Sequence, residues 1–561
     1  MTDSRRSAQL KALVWSFAGV AGLTVLWLLL APYVVPDLVL KAYQDRYPNP
    51  QRMILWHGVF GCVAIWAGGW LVWWSVRNRI LDRLIPAASP QQLGGVRAVV
   101  CSVLLINTLW EDLASTVYLP KEMQLPLGVI KILQPLPIGF EQLLDSYAAL
   151  SALKYFTAGF LLLGCLGFAT RLVIPLAALG YLLVGGILRE YSHGFHTNLL
   201  PLQLLIVLAF LPCGDGLSID RQIRHAQGKA VASNANPRSG YGWSVFICWT
   251  VIAMAYFAAG LSKLRTGGWM WWHHENMQTY LFQSSLNPMH FDFRISLALR
   301  EAPDFVFAAL GLGGLLIELF YPLVLFSRMA RIVFPALALG LHIGIFFLQN
   351  ILFLDLMLLQ IVFWPWTGLF ARLPKPFAFR HREFQAEADV SAMRSHPGSI
   401  RKRILGTITV SAIVCVSMFV WAMDCEFYPA SAWGMFKFRN SSGVLTYHKP
   451  LVFYSNGDVE EAKFDRWIGA MADTRYRQML EVKRHPELAQ KFFEANIKRA
   501  NSTDPKGRTV DHFEIQTWRW DFRREPQSST YGKLVDSIIY PVPDSGPELE
   551  SPVRFTPHGE K

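Results

Sequence analysis

This chain reads as an all-α polytopic membrane helix bundle of about 11 spans, N-terminus cytoplasmic, with a small external α+β domain at its C-terminal end. Three observations carry that reading. Hydrophobic residues make up 52% of the chain and charged residues only 17%, with a mean hydropathy of +0.27. The apolar residues gather into stretches of about 20, the length a helix needs to cross a hydrocarbon core. Arginine and lysine collect in alternate connecting loops, the bias that orients membrane helices. Together these exclude a soluble globular fold.

The candidate spans lie near 11–35, 53–75, 96–113, 148–169, 171–188, 195–212, 242–263, 306–327, 332–349, 350–366 and 403–423. The first apolar run is too long for a cleavable signal, with no clean small-residue site after it, so it reads as a retained anchor. Arg5, Arg6 and Lys11 precede it. Arg77, Arg79, Arg83 and Arg97 follow the second span, and Arg221, Arg224, Lys229 and Arg238 follow the sixth. A further basic run extends from Arg372 to Arg403. With 11 spans, all four clusters fall on the cytoplasmic side of a plasma (inner) membrane. Residues 424–561 then fall outside, in the periplasm of a Gram-negative cell. The net charge of +12 is therefore a topology signal rather than a nucleic-acid surface.

The organisation follows from these spans. Residues 1–94 hold two spans and a basic, proline-containing loop; residues 95–370 form an eight-span body; residues 371–402 are a hydrophilic linker; residues 403–423 are the last span. In the external domain, Val444–His448 and Leu451–Tyr454 are strand-like, and Asn456-Gly457 after them is a strong turn signal. Residues 464–482 and 487–500 read as amphipathic helices. Phe513–Phe522 alternates as a half-buried strand does. From Pro541 the chain is proline-rich and polar and is expected to fray. Six cysteines sit in or beside spans, where a thiol serves as a small apolar filler, and only Cys425 lies at the outer face; no disulfide framework is implied.

Ionisable residues inside spans cost roughly 2.5–3.5 kcal/mol each and are functional suspects. In the body these are His196, Lys263, Glu318 and His342. Three of them, His196, Lys263 and His342, fall at similar depth near the outer face, as one outward-opening site would place them. Each has a bland alternative. Lys263 ends a span and can snorkel to the headgroups. Either histidine can bond a backbone carbonyl between helices, and Glu318 can be protonated and bonded likewise. His193-Gly-Phe-His196 and His273-His274-Glu275 offer metal ligands, but adjacent helical residues diverge by about 100°. No cysteine pair or HExxH spacing accompanies them, and no metal is expected. There is no Gly-rich phosphate loop and no Ser–His–Asp constellation.

The body resembles the HTTM domain, the multi-helix membrane domain shared by vitamin K-dependent gamma-carboxylases and many bacterial proteins. The resemblance rests on Tyr256-Phe-Ala-Ala-Gly-Leu-Ser-Lys-Leu264 followed by Trp269, and on His196 ahead of Pro212-Cys-Gly-Asp-Gly-Leu-Ser-Ile-Asp220. Gly314-Leu-Leu-Ile-Glu-Leu319 and His342 in Leu-His-Ile-Gly complete it, over about residues 95–370. It implies Lys263 as a catalytic base that deprotonates a reduced quinone of the menaquinol or vitamin K type. It further implies His196 and His342 on the quinone oxygens, Trp269 beside the cofactor, and Glu318 fixing a neighbouring donor. Ser262 stands where the family has a second lysine. Two extra spans precede the body, and the external domain is far smaller than the part that grips substrate in the carboxylases. The implied activity is a quinol-coupled carboxylase-like (lyase) or oxidase-like reaction at the outer face. Membrane lipid, and a secreted protein or peptide, are the implied partners. The alternative is a non-enzymatic scaffold or maturation factor for an exported protein, an architecture similar to that of the lipase maturation factors.

Overall fold

One helix organises the bundle, because it is apolar on every side and therefore stable only when surrounded. The computed structural model describes chiefly residues 84–364, 400–462 and 504–541, with short gaps, together with residues 553–555. Its helices are α1 (Pro90–Trp110), α2 (Tyr147–Leu166), α3 (Thr170–Glu190), α4 (Leu199–Leu208) and α5 (Ser239–Gly267). They continue as α6 (His274–Leu286), α7 (Asp304–Phe320), α8 (Ala330–Gln349), α9 (Leu354–Leu359) and α10 (Ile400–Ala422). Helix α5 is the central one: 89% of its apolar window is buried, against 17–61% for the other long helices.

Among the described residues, seven helices are long and apolar enough to cross a membrane: α1, α2, α3, α5, α7 with its 3-10 extension Tyr321–Leu325, α8 and α10. The expected spans near 11–35 and 53–75 lie largely outside the described residues. Those near 195–212 and 350–366 are corrected. Helix α4 has ten residues, about 15 Å of rise against a core of about 30 Å. Helix α9 is shorter still before its 3-10 extension Gln360–Phe363. Each follows an asparagine in the left-handed region, Asn198 at φ 61° and Asn350 at φ 59°. A left-handed residue ends helical hydrogen bonding however apolar its neighbours are. Both breaks are held inside the bundle. Asn198 N–H donates to Asp355 Oδ2 at 2.7 Å, and Phe293 N–H donates to Asn350 Oδ1 at 2.9 Å. Broken helices persist at such depth only when protein groups take up the freed backbone.

Successive segments still run antiparallel. Arg97, near the start of α1, donates to the carbonyls of Cys165, Cys213, Gly216 and Leu217, which follow or end α2 and α4. Asp220 accepts from the amides of Ala169 and Thr170 at the start of α3, and Tyr241 in α5 donates to Asp215. Arg331 in the first turn of α8 reaches the carbonyls of Val324 and Leu84. These contacts place Arg97 and Arg331, with Arg224 on Asp215, at one end of the bundle. Lys263 and the C-terminal domain lie towards the other.

That domain begins with the short hairpin β1 (Glu426–Phe427) and β2 (Ala430–Ser431). A five-stranded antiparallel sheet follows, ordered β4-β3-β5-β6-β7. Its strands are β3 (Val444–Tyr454), β4 (Val459–Glu461), β5 (Val510–Asp521), β6 (Lys533–Pro541) and β7 (Val553–Phe555). The two strand-like runs at 444–454 are one strand. Strand β6 was not expected, and β7 pairs with it, Ser537 opposite Phe555, where fraying was expected. The helices expected at 464–482 and 487–500 lie outside the described residues apart from Ile497, which is helical and buried. The six described cysteines are free thiols, and Cys425 is not among the described residues. The sheet rests on α6, where the Phe282 ring meets those of Trp520 and Phe522 at 5.5 and 5.4 Å.

At the far edge of the sheet, Arg508 binds Asp504, Glu460 and Asp458 at 2.8–3.2 Å, its side chain 5% exposed. Its hydrogen bonds hold Asp504 well below the usual carboxylate range and lower Asp458 and Glu460 also. Groups depressed in the folded state contribute stability that is complete above their unfolded values, about 3.9 for Asp and 4.3 for Glu, and is lost as pH falls through the folded ones. Amide exchange in β5, corrected for intrinsic rate, should therefore accelerate below about pH 4. Arg508→Gln should remove that acid step, and an identical acid profile in the variant would show that the cluster contributes nothing.

Candidate functional site: a buried lysine–glutamate pair

Tyr256, Gly260 and Lys263 are four and three residues apart on α5, so they share one face. Lys263 is 4% exposed, and its Nζ donates to both carboxylate oxygens of Glu318 at 2.7 Å. The Trp271 ring lies 5.4 Å from the same nitrogen. The amine is thus turned into the bundle, which removes the snorkelling alternative. What permits the contact is the hydrogen on Gly260. A Cβ there would stand 3.0 Å from the Leu319 side chain and 3.1 Å from its backbone nitrogen. Helix α7 can therefore approach α5 closely where Glu318 must reach across.

Two turns along the same face, Tyr256 Oη is 2.8 Å from His342 Nε2. Gln360 Nε2 donates to that hydroxyl at 2.9 Å, and Tyr321 Oη donates to Gln360 Oε1 at 2.6 Å. Tyr256 and Tyr321 stack at 4.2 Å. With Gln360 donating to Tyr256, the assignment that satisfies the chain has Tyr256 donating to His342 Nε2 and the imidazole proton on Nδ1. His342 Nδ1 is buried with no hydrogen-bond partner in the protein.

His196 does not join this group directly. It precedes α4, stacks on Trp433 at 5.7 Å, and places Nε2 3.5 Å from Glu426 Oε2, longer than a normal hydrogen bond. Both partners come from the segment after α10, which packs over the Lys263 end of α5. Ser262 Oγ donates to the Ala432 carbonyl and Trp271 Nε1 to that of Phe436, each at 2.8 Å. Asp424 takes Arg265 at 2.5 Å and Lys437 at 2.9 Å. Tyr428, Ala432 and Trp433 are buried there. Tyr428 fits a slot at Gly185, where a Cβ would stand 2.8 Å from its hydroxyl. Burial pushes the Glu426 carboxyl up, but the imidazole of His196 beside it, with Ser431 and Lys437, holds it below the usual range.

Of the residues singled out from sequence, Lys263 and Glu318 touch, His342 joins them through Tyr256 on a shared helix face, and His196 belongs to the covering segment. Trp269 is 79% exposed; the aromatic ring beside the amine is Trp271. Tyr256 was within the quoted motif, and its seven-residue spacing from Lys263 is the signal that marks it. Gln360, Glu426 and Trp433 carry no local signal. The divergence argument against His273 and His274 does not hold, because His273 (φ −56°, ψ 142°) precedes α6 and only His274 is helical. The two rings lie 4.1 Å apart. His193 lies outside the described residues. No known protein family, characterised protein or solved structure matches the chain.

Breaking a buried ion pair strands a charge and costs about 3–5 kcal/mol, whereas replacing both partners with apolar groups is often neutral. Lys263→Met should therefore lower the thermal unfolding midpoint in detergent sharply, and Lys263→Met with Glu318→Leu should recover most of the loss. Additive losses in the double variant would mean that the two side chains are not coupled.

Proposed function

We propose that this chain is an HTTM-type, multi-pass protein of the inner membrane whose C-terminal domain lies outside. In this reading it turns over a prenylated quinol with Lys263 as the base, in a carboxylase- or oxidase-like reaction. The observation that carries the reading is the buried pair of Lys263 and Glu318. The two side chains share a transferable proton over 2.7 Å. Moving it between them leaves the net charge of the pair unchanged, which avoids an isolated charge in a low-dielectric bundle. With the proton on Glu318, Lys263 presents a lone pair and can accept the hydroxyl proton of a quinol, leaving a quinolate beside the new ammonium. The orphaned Nδ1 of His342 supplies a donor suited to a quinone oxygen. The prenyl tail stays in hydrocarbon. The orientation draws support from Arg97, Arg224 and Arg331, which lie at the end opposite the C-terminal domain.

Lys263→Arg separates base from charge. A guanidinium can keep the pair with Glu318 but cannot release its proton in a protein. Purified Lys263→Arg should bind quinone and lose quinol turnover by about 10²–10⁴-fold, the usual worth of general acid–base catalysis. Turnover near that of the unmodified protein would rule Lys263 out as the base.

The second reading, a scaffold that matures or anchors a secreted protein, is favoured by one observation. The sheet is fixed to α6 by ring contacts and by the His448 amide bonded to Asn287 Oδ1 at 3.3 Å, so the domain would be presented rigidly. In that case an exported partner co-purifies and its maturation is indifferent to Lys263→Arg.

A further inference from the structure

A second cluster lies at the junction of α6, α7 and the sheet, and the proton-handling site makes no use of it. One ligand atom each from His273, His274 and Glu275 lie within 4.8 Å of one another. Three separations define its geometry. His273 Nδ1 to Glu275 Oε2 and His274 Nε2 to Glu275 Oε1 are each 3.8 Å, and His274 Nε2 to Asp304 Oδ2 is 3.5 Å. All exceed the 2.7–3.2 Å of an N–H···O hydrogen bond. The two from His274 Nε2, to Glu275 Oε1 and Asp304 Oδ2, approach the edge, about 3.4 Å, of a tetrahedron with metal bonds of 2.0–2.2 Å.

The remaining oxygens explain why the carboxylates are set this way. Gln278 Nε2 donates to Asp304 Oδ1 at 3.4 Å, which leaves Oδ2 towards His274. The guanidinium of Arg523, just beyond β5, binds Glu275 Oε2 and leaves Oε1 towards the same imidazole. Each carboxylate thus has one oxygen held by a protein donor and the other directed at His274, the kind of outer bonding that orients metal ligands. His273 Nδ1 is buried and makes no hydrogen bond within the protein.

We propose that His273, His274, Glu275 and Asp304 bind one divalent transition-metal cation of the zinc class. Two imidazoles and a carboxylate whose ligand atoms lie within 4.8 Å of one another, with Asp304 3.5 Å from His274, suit that chemistry, and calcium or magnesium would call for more oxygen ligands. The ion ties α6 to α7 and, through Arg523 on Glu275, to the sheet.

The test uses the full-length, tag-free protein in detergent, stripped with a chelator and titrated with Zn²⁺. One equivalent should bind, and bound Co²⁺ should give the visible absorption of a tetrahedral site. His274→Ala and Asp304→Asn should each weaken Zn²⁺ binding about 10–100-fold or more, and Lys263→Arg should leave it unchanged. Asp304 has a largely exposed side chain, 65% by area, so its amide variant keeps the test available if His274→Ala does not fold. Absence of saturable binding, or equal binding by Asp304→Asn, overturns the proposal.

Discussion

An amine and a carboxylate placed among apolar helices must find each other, and in this protein that requirement sets the spacing of the two helices that bear them. Either charge alone would cost several kcal/mol in the bundle. At 2.7 Å each cancels the other. The contact brings α5 and α7 so close that a Cβ at Gly260 would sit only 3.0 Å from the Leu319 side chain. Bringing them together also brings Tyr321 onto Tyr256, and from there Gln360 and His342 fall into one hydrogen-bonded chain. The polar interior around α5 thus holds two hydrogen-bonded groups, the Lys263–Glu318 pair and the Tyr256 chain, both borne on one face of the most enclosed helix.

The segment between α10 and the sheet completes this arrangement from the other side. It bonds Ser262, the residue beside Lys263, and Trp271, whose ring faces the amine. It supplies Glu426 and Trp433 to His196. It then continues to β3 through Asn440, whose amide bonds Asn276 Oδ1 on α6 at 2.8 Å. The C-terminal domain is thus mechanically continuous with the cover of the buried pair. Residue 424 onward belongs as much to the site as to the C-terminal fold.

Much of this was legible in the residues, for physical reasons that also mark where reading fails. Length and hydropathy report seven membrane-length helices correctly, since both properties are summed over about 20 residues. The same sums cannot see a single asparagine in the left-handed region, so α4 and α9 read as full spans. Lys263 and Glu318 were visible as expensive residues, because cost of burial depends on type alone. Their pairing was not, since 55 residues separate them and Gly260, which admits the contact, looks like any small residue in a helix. Trp269 and Trp271 differ only in which way the chain turns after Gly267. Glu426 lies 230 residues from His196, and nothing local to either announces the other. The histidine pair at 273–274 was set aside by assuming helix one residue too early.

The central claim is that a proton moves between Glu318 and Lys263 when the site is engaged. Infrared difference spectroscopy of the purified protein, with and without bound quinol, tests it most directly. The account predicts a carboxylic-acid carbonyl band that changes on quinol binding and vanishes in Glu318→Gln. A difference spectrum with no carboxyl component, or one that is the same in Glu318→Gln, would contradict it and leave the pair as a structural tie between two helices.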